Sequence, residues 1–224
     1  MTRSNLRRAL FLDVDFTLIR PAASPFELHL AKEDKRPPRY LPKDFKESVL
    51  EVHLPQRDAT ELVYYRSSTI AAIAQLPETV DIRWLTSWLV NLPRLRQLQE
   101  QLDLATDRIR PADVPDHVQP SSEPIPMSMR AQTHWKTQTV ANYLRSTPGA
   151  EAVWADDEVG DFIHAIFPDD LRARLHYIRP NFSLGMLAER DVAMIADWAE
   201  GTTTELRVDR ETGFEPRRYE VGTE

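Results

Sequence analysis

The stretch Ala9-Leu10-Phe11-Leu12 constrains this chain most, because an unbroken apolar run is followed at once by Asp13 and Asp15. A strand with one solvated face alternates apolar and polar side chains. One with no polar face must be covered on both sides, as in the middle of a parallel sheet flanked by helices. Side chains at i and i+2 share a face of a strand, so Asp13 and Asp15 converge only where the strand ends. Two ionised carboxylates that close repel each other unless a cation or a shared proton compensates. The segment therefore marks the interior of an α/β sheet and, at its edge, a candidate metal and phosphate site.

At 224 residues the chain is long enough for one well-buried domain carrying an inserted subdomain. Its composition, 42% hydrophobic and 28% charged, is that of a globular protein, and no apolar run approaches the length that crosses a bilayer. The arginines among residues 1–8 precede only a short apolar run that ends in acids. That fits no secretory signal, so a cytoplasmic protein is expected. The chain has no cysteine, which removes disulfides, thiolate nucleophiles and cysteine-held zinc, and its histidines show no HxH or HExxH spacing. Carboxylates and hard metal ions are left as the natural chemistry. A net charge of −7 argues against a broad electropositive surface for nucleic acid while leaving room for a local basic groove.

Residues 1–200 read as a single α/β domain. Pro21, Pro25, Pro37, Pro38, Pro42 and Pro55 forbid long helices over residues 20–66, where Val49 to Leu54 and Glu61 to Tyr65 have strand composition. This segment reads as a β-rich cap inserted after the first strand. Ser67 or Ser68 is placed to cap a helix over Thr69 to Leu76, which Pro77 stops. A strand over Val80 to Leu85, a polar turn at Thr86 and Ser87, and a helix from Leu92 to Leu102 form the next α/β unit. Residues 103–131, with Pro111, Pro115, Pro120, Pro124 and Pro126, read as a surface connection. Beyond it come a helix over His134 to Arg145, a strand over Ala152 to Ala155 and a helix over Glu158 to Ile166. A strand over Arg174 to Ile178 and an amphipathic helix over Ala188 to Trp198 close the domain. Residues 201–224 are expected to be a polar tail or a short hairpin, with weak strand character at Glu205 to Val208 and Arg218 to Val221.

Each predicted strand ends in a residue suited to phosphate chemistry. Asp13 and Asp15 end the first, Thr86 the second, and Asp156 with Asp157 a third, while Lys136 opens the helix between them. Ligands of doubly wound sheets bind outside the carboxyl ends of the strands, where these residues can meet.

In these features the chain resembles the haloacid dehalogenase-like (HAD) hydrolase superfamily. The motifs are Asp13-Val-Asp-Phe-Thr-Leu18, Trp84-Leu-Thr86-Ser-Trp88, Lys136 and Trp154-Ala-Asp156-Asp157-Glu158, in that order. The tryptophan-rich second motif and the fourth look like those of HAD domains associated with RNA-repair proteins. The resemblance implies a HAD-like Rossmannoid parallel sheet flanked by helices. It also implies a Mg2+-dependent phosphatase working through an aspartyl-phosphate intermediate on a nucleotide or a polynucleotide end phosphate. Asp13 would attack phosphorus, and Asp15 would protonate the leaving oxygen and then deprotonate water. Thr86 and Ser87 would hold the phosphoryl oxygens, and Lys136 would stabilise charge on Asp13 and the phosphate. Asp157, supported by Asp156, would complete a metal site with Asp13 and the backbone carbonyl of Asp15. Asp161 reads either as an outer-shell group or as an exposed helix carboxylate.

Phe16 departs from the pattern, since glycine is the commonest occupant of that position in the superfamily. A small-metabolite phosphatase is the rival with the same chemistry, and a non-catalytic phosphate-binding or partner-binding module the rival from another class. Core packing is the first reading for Trp84 and Trp154, whereas Trp88 and Trp135 are candidates for base stacking. Arg172, Arg174 and Arg179 read as solvated surface or as the lining of a substrate groove.

Overall fold

The computed structural model describes residues 7–21, 49–54, 59–105, 107–114, 129–160, 166–180 and 186–209. Strand β1 (Arg8–Leu12) is followed by β2 (Ile19–Pro21), β3 (Val49–Leu54) and β4 (Ala59–Tyr65), which form a small antiparallel sheet in the order β2–β4–β3. The chain continues through α1 (Ser67–Ala74), β5 (Val80–Trp84), a 3-10 turn over Ser87–Val90, α2 (Leu92–Gln101) and β6 (Ile109–Pro111). Helix α3 (Met129–Ser146) leads into β7 (Glu151–Ala155), the single turn α4 (Asp169–Arg172), β8 (Leu175–Arg179), α5 (Glu189–Glu200) and β9 (Arg207–Asp209).

The main sheet runs β6–β5–β1–β7–β8–β9, and every pairing in it is parallel. Ala9, Leu10, Phe11 and Leu12 are completely buried, as a strand covered on both faces requires. From β1 the chain builds one half of the sheet through β5 and β6 and the other through β7, β8 and β9. The strand order therefore switches at β1, and the crevice outside its carboxyl end is where such a sheet offers a ligand site. Asp13 stands there. Among the described residues, no helix is long and apolar enough to cross a membrane.

Several expectations need correction. Neither Ser67 nor Ser68 caps α1: the cap position is Arg66, with extended backbone, and Ser67 already lies inside the helix. Helix α3 begins at Met129, so Lys136 sits two turns inside it rather than in its first turn. The stretch read as a proline-rich connection contains edge strand β6, and Pro111 is tolerated because an edge strand has one unpaired side. The chain after Gly201 forms a strand where weak strand character was read at Glu205 to Val208, and residues 210–224 lie outside the described residues. It turns at Gly201, whose φ of +80° suits glycine, and adds β9 parallel to β8, burying Leu206 and Val208. Glu158 to Gly160 are not helical, and residues 161–165 of the helix expected over Glu158 to Ile166 lie outside the described residues. Asp161, the stretch Arg218 to Val221, and Pro25, Pro37, Pro38, Pro42, Pro55, Pro115, Pro120, Pro124 and Pro126 lie outside the described residues.

Candidate active site

Strands β1, β5 and β7 end level with one another, since Leu12 pairs with Trp84 on one side and Ala155 on the other. The pairing runs on for one more residue: Asp13 N donates to Ala155 O at 3.0 Å, and Leu85 N donates to Leu12 O at 2.9 Å. Asp13, Thr86 and the pair Asp156 and Asp157 consequently emerge at one edge of the sheet.

Lys136 reaches this edge from α3. Its Nζ lies 2.8 Å from Asp156 Oδ2, 3.3 Å from Asp13 Oδ1 and 4.0 Å from Glu158 Oε2. Lys136 and Asp13 are buried and Asp156 has no exposed surface. A buried ammonium is costly unless paired, and here carboxylates pair it. Asp156 is held on both oxygens: Oδ2 also accepts from Trp154 Nε1 at 3.0 Å, and Oδ1 accepts from Glu158 N at 2.8 Å. Asp156 thus fixes Lys136 and the turn that carries Asp157.

One carboxylate oxygen from each of Asp13, Asp156 and Asp157 lies within 4.8 Å of the others. This concentration of negative charge exceeds what Lys136 neutralises. Burial raises the Asp13 carboxyl well above the ordinary range, and the charges of Asp156, Asp15 and Asp157 add to the rise against the opposing pull of Lys136. Burial and then Asp156 push Asp157 up to about 7. Burial alone would lower Lys136, but Asp13 and Asp156 outweigh it and hold the ammonium firmly protonated. An all-oxygen, over-negative donor set of this kind fits a hard divalent cation, with Asp13 and Asp157 as the principal donors.

The loop after β1 is a tight turn in which Leu18 N and Ile19 N both donate to Val14 O, at 2.9 Å and 3.0 Å. Thr17 is fully buried, and its hydroxyl oxygen accepts from Asp157 N at 3.1 Å. That bond locks the Asp13–Asp15 loop to the Asp156–Asp157 turn. Leu187 N and Met186 N close the loop from the other side, donating to Thr17 O at 2.8 Å and Phe16 O at 3.0 Å. Phe16 has φ +55°, the left-handed conformation that favours glycine, and bears a cost of about 1 kcal/mol for its side chain there.

Asp15 is not part of the three-carboxylate cluster. Its Oδ2 accepts from Trp88 Nε1 at 2.8 Å, and the Arg94 guanidinium stacks 3.6 Å from the centroid of the Trp88 ring. Thr86 caps the 3-10 turn, its Oγ1 accepting from Trp88 N at 3.3 Å, which leaves the O–H available as a donor. Ser87 is the first, half-buried residue of that turn.

Trp84, Trp88, Trp135 and Trp154 are all buried, so base stacking is not their role in this conformation. Arg172 and Arg174 donate to the carbonyls of Phe167 and Ala150, at 2.9 Å and 3.1 Å, and staple loops. Arg179 alone of the three reaches the site, its Nε donating to Asp157 O at 3.0 Å. Sequence reasoning missed Thr17, Trp88 and Arg179 as positioning groups. Thr17 and Trp88 carried a signal, lying within the first and second motifs, whereas Arg179 lies in none. No family model, curated protein or solved structure matches this chain.

Proposed function

We propose that this chain is a Mg2+-dependent phosphomonoester hydrolase of the HAD type that uses Asp13 as nucleophile. The observation that carries the reading is the buried Lys136 bridging Asp13 and Asp156 beside Asp157, at the point where the strand order switches. Asp13 and Asp157, with Asp156 behind them, would hold the ion. When bound, Mg2+ supplies positive charge that lets an anionic ester approach an anionic nucleophile.

In this reading an Asp13 oxygen attacks phosphorus while the ester P–O bond breaks, and Asp15 delivers its proton to the leaving oxygen. Water then attacks the phosphorus of the aspartyl phosphate, Asp15 takes the water proton, and inorganic phosphate leaves with Asp13 regenerated. Trp88 holds the Asp15 carboxylate, Thr86 donates to a phosphoryl oxygen, and Lys136 offsets the charge that builds on Asp13 and phosphate. The antiparallel sheet β2–β4–β3, which enters the chain directly after this loop, acts as a small cap.

The proposed substrate, a nucleotide or polynucleotide end phosphate, rests on the second and fourth motifs, Trp84 to Trp88 and Trp154 to Glu158. The test compares hydrolysis of a 3′-phosphorylated oligonucleotide with a panel of small phosphate esters, in Mg2+ and in EDTA. Release of phosphate from the oligonucleotide only in Mg2+ is the expected result. Hydrolysis confined to small esters would move the substrate to a metabolite, and no hydrolysis of any ester would leave a non-catalytic module.

A further inference from the structure

The amino-terminal edge of the main sheet, opposite the Asp13 cluster, carries a cleft of about 280 Å³ lined by Arg7, Arg8, Arg83, Arg110, Asp81 and Tyr143, among others. These named residues bring together four guanidiniums and one carboxylate, in a chain whose net charge is −7. Arg8 and Asp13 stand at opposite ends of β1, roughly 17 Å apart at the rise of an extended strand, so the cleft is separate from the candidate active site.

Its donors are fixed in advance. Asp81 grips Arg83 Nε at 2.8 Å and Arg110 through Nε at 3.1 Å and Nη2 at 2.9 Å. Arg83 Nη1 reaches the exposed Asp113 at 2.7 Å, and its guanidinium lies 4.7 Å from the centroid of the Tyr143 ring. That ring is in turn set edge-on to Phe11, with centroids 5.3 Å apart. Arg8 is held by the Ala199 carbonyl and the Trp198 ring. Two donors remain open: the exposed Arg7 guanidinium and the half-buried Tyr143 hydroxyl have no side-chain hydrogen-bond partner among the described residues. Burial and the Asp81 charge raise the Tyr143 pKa, so its hydroxyl stays a donor at neutral pH.

We propose that this cleft binds a phosphate dianion, as inorganic phosphate or as the phosphate of a nucleoside monophosphate. Guanidinium forks match phosphate oxygens in pairs, and two negative charges compensate the excess of arginine better than a single carboxylate does. Asp81 organises the arginines rather than cancelling them.

The test is calorimetric titration of the full chain in EDTA with inorganic phosphate and, separately, with adenosine 5′-monophosphate. Saturable binding is expected, weakened by about tenfold or more in the double variant Arg7→Ala/Tyr143→Phe, which removes two donors to a charged ligand. Both substitutions fall at solvent-accessible positions, and circular dichroism verifies the fold. Thr86→Val, at the other edge of the sheet, should leave the affinity as it is. Tighter binding of the nucleotide assigns the site to a nucleoside monophosphate, and equal affinities assign it to phosphate itself. The proposal is overturned if neither anion binds, if the double variant binds as the unmodified chain does, or if Thr86→Val abolishes binding.

Discussion

Replacing Lys136 by methionine removes the sole ammonium from the cluster while preserving much of the side-chain volume. In the unmodified chain Nζ sits 2.8 Å from Asp156 and 3.3 Å from Asp13, all three groups being buried. Removing one member of a buried ion pair costs about 3–5 kcal/mol, because the remaining charge is stranded without solvent. Asp156→Asn removes the nearest of the carboxylates that pair this ammonium. The two losses share one cause, so the double variant Lys136→Met/Asp156→Asn should be less destabilised than the sum of the single variants by about 2 kcal/mol. Urea unfolding at pH 7.5 in EDTA, followed by circular dichroism, measures all four proteins. The deficit of Lys136→Met should also grow from pH 5 to pH 8. Asp13 already has a raised pKa in the folded chain, and a raised carboxyl contributes stability that is lost as pH climbs through its folded value. Loss of Lys136 raises it further. Additive losses within about 0.5 kcal/mol would refute a coupled buried cluster.

The pKa of Asp157, pushed from its ordinary 3.8 to about 7, makes cation binding compete with a proton. Stabilisation by Mg2+, read as the rise in melting temperature, should be slight at pH 5 and near its full size by pH 8. An equal rise at both pH values would contradict the assignment. Trp88→Phe removes the donor to Asp15 and should lower kcat by about tenfold, the value of one hydrogen bond to a charged group. Thr17→Val leaves Asp157 N without its acceptor and should cost about 1–3 kcal/mol, whereas Thr17→Ser should recover most of that loss in the same unfolding assay.

The central strands were legible because their signal is local. The apolar runs at Ala9 to Leu12 and Ala152 to Ala155 and the pattern at Val80 to Trp84 required burial on both faces, and the residues that end these strands were then bound to meet. Edge strand β6 escaped notice and β9 was read only as weak strand character at Glu205 to Val208, because each is only three residues long, so pairing with a formed neighbour decides them rather than their own composition. Lys136 was recognised by residue type but misplaced on its helix, whose start was read at His134 rather than at Met129. The Trp88–Asp15 bond joins residues 73 apart in the chain, and the arginine cleft gathers side chains from β1, β5, β6 and their flanks. Neither has a local spacing from which it can be read. Phe16 was legible as an oddity, but its physical meaning, a side chain held at positive φ, required the backbone.

The central claim, that Asp13 attacks phosphorus, is tested most directly by adding borohydride during turnover of a phosphate ester in Mg2+ and mapping the protein by mass spectrometry. An aspartyl phosphate is reduced to homoserine, whereas a free carboxylate is not. Homoserine at position 13, absent without substrate and absent in Asp13→Asn, is the expected result. Turnover with position 13 unmodified, or with the modification at another aspartate, would contradict it.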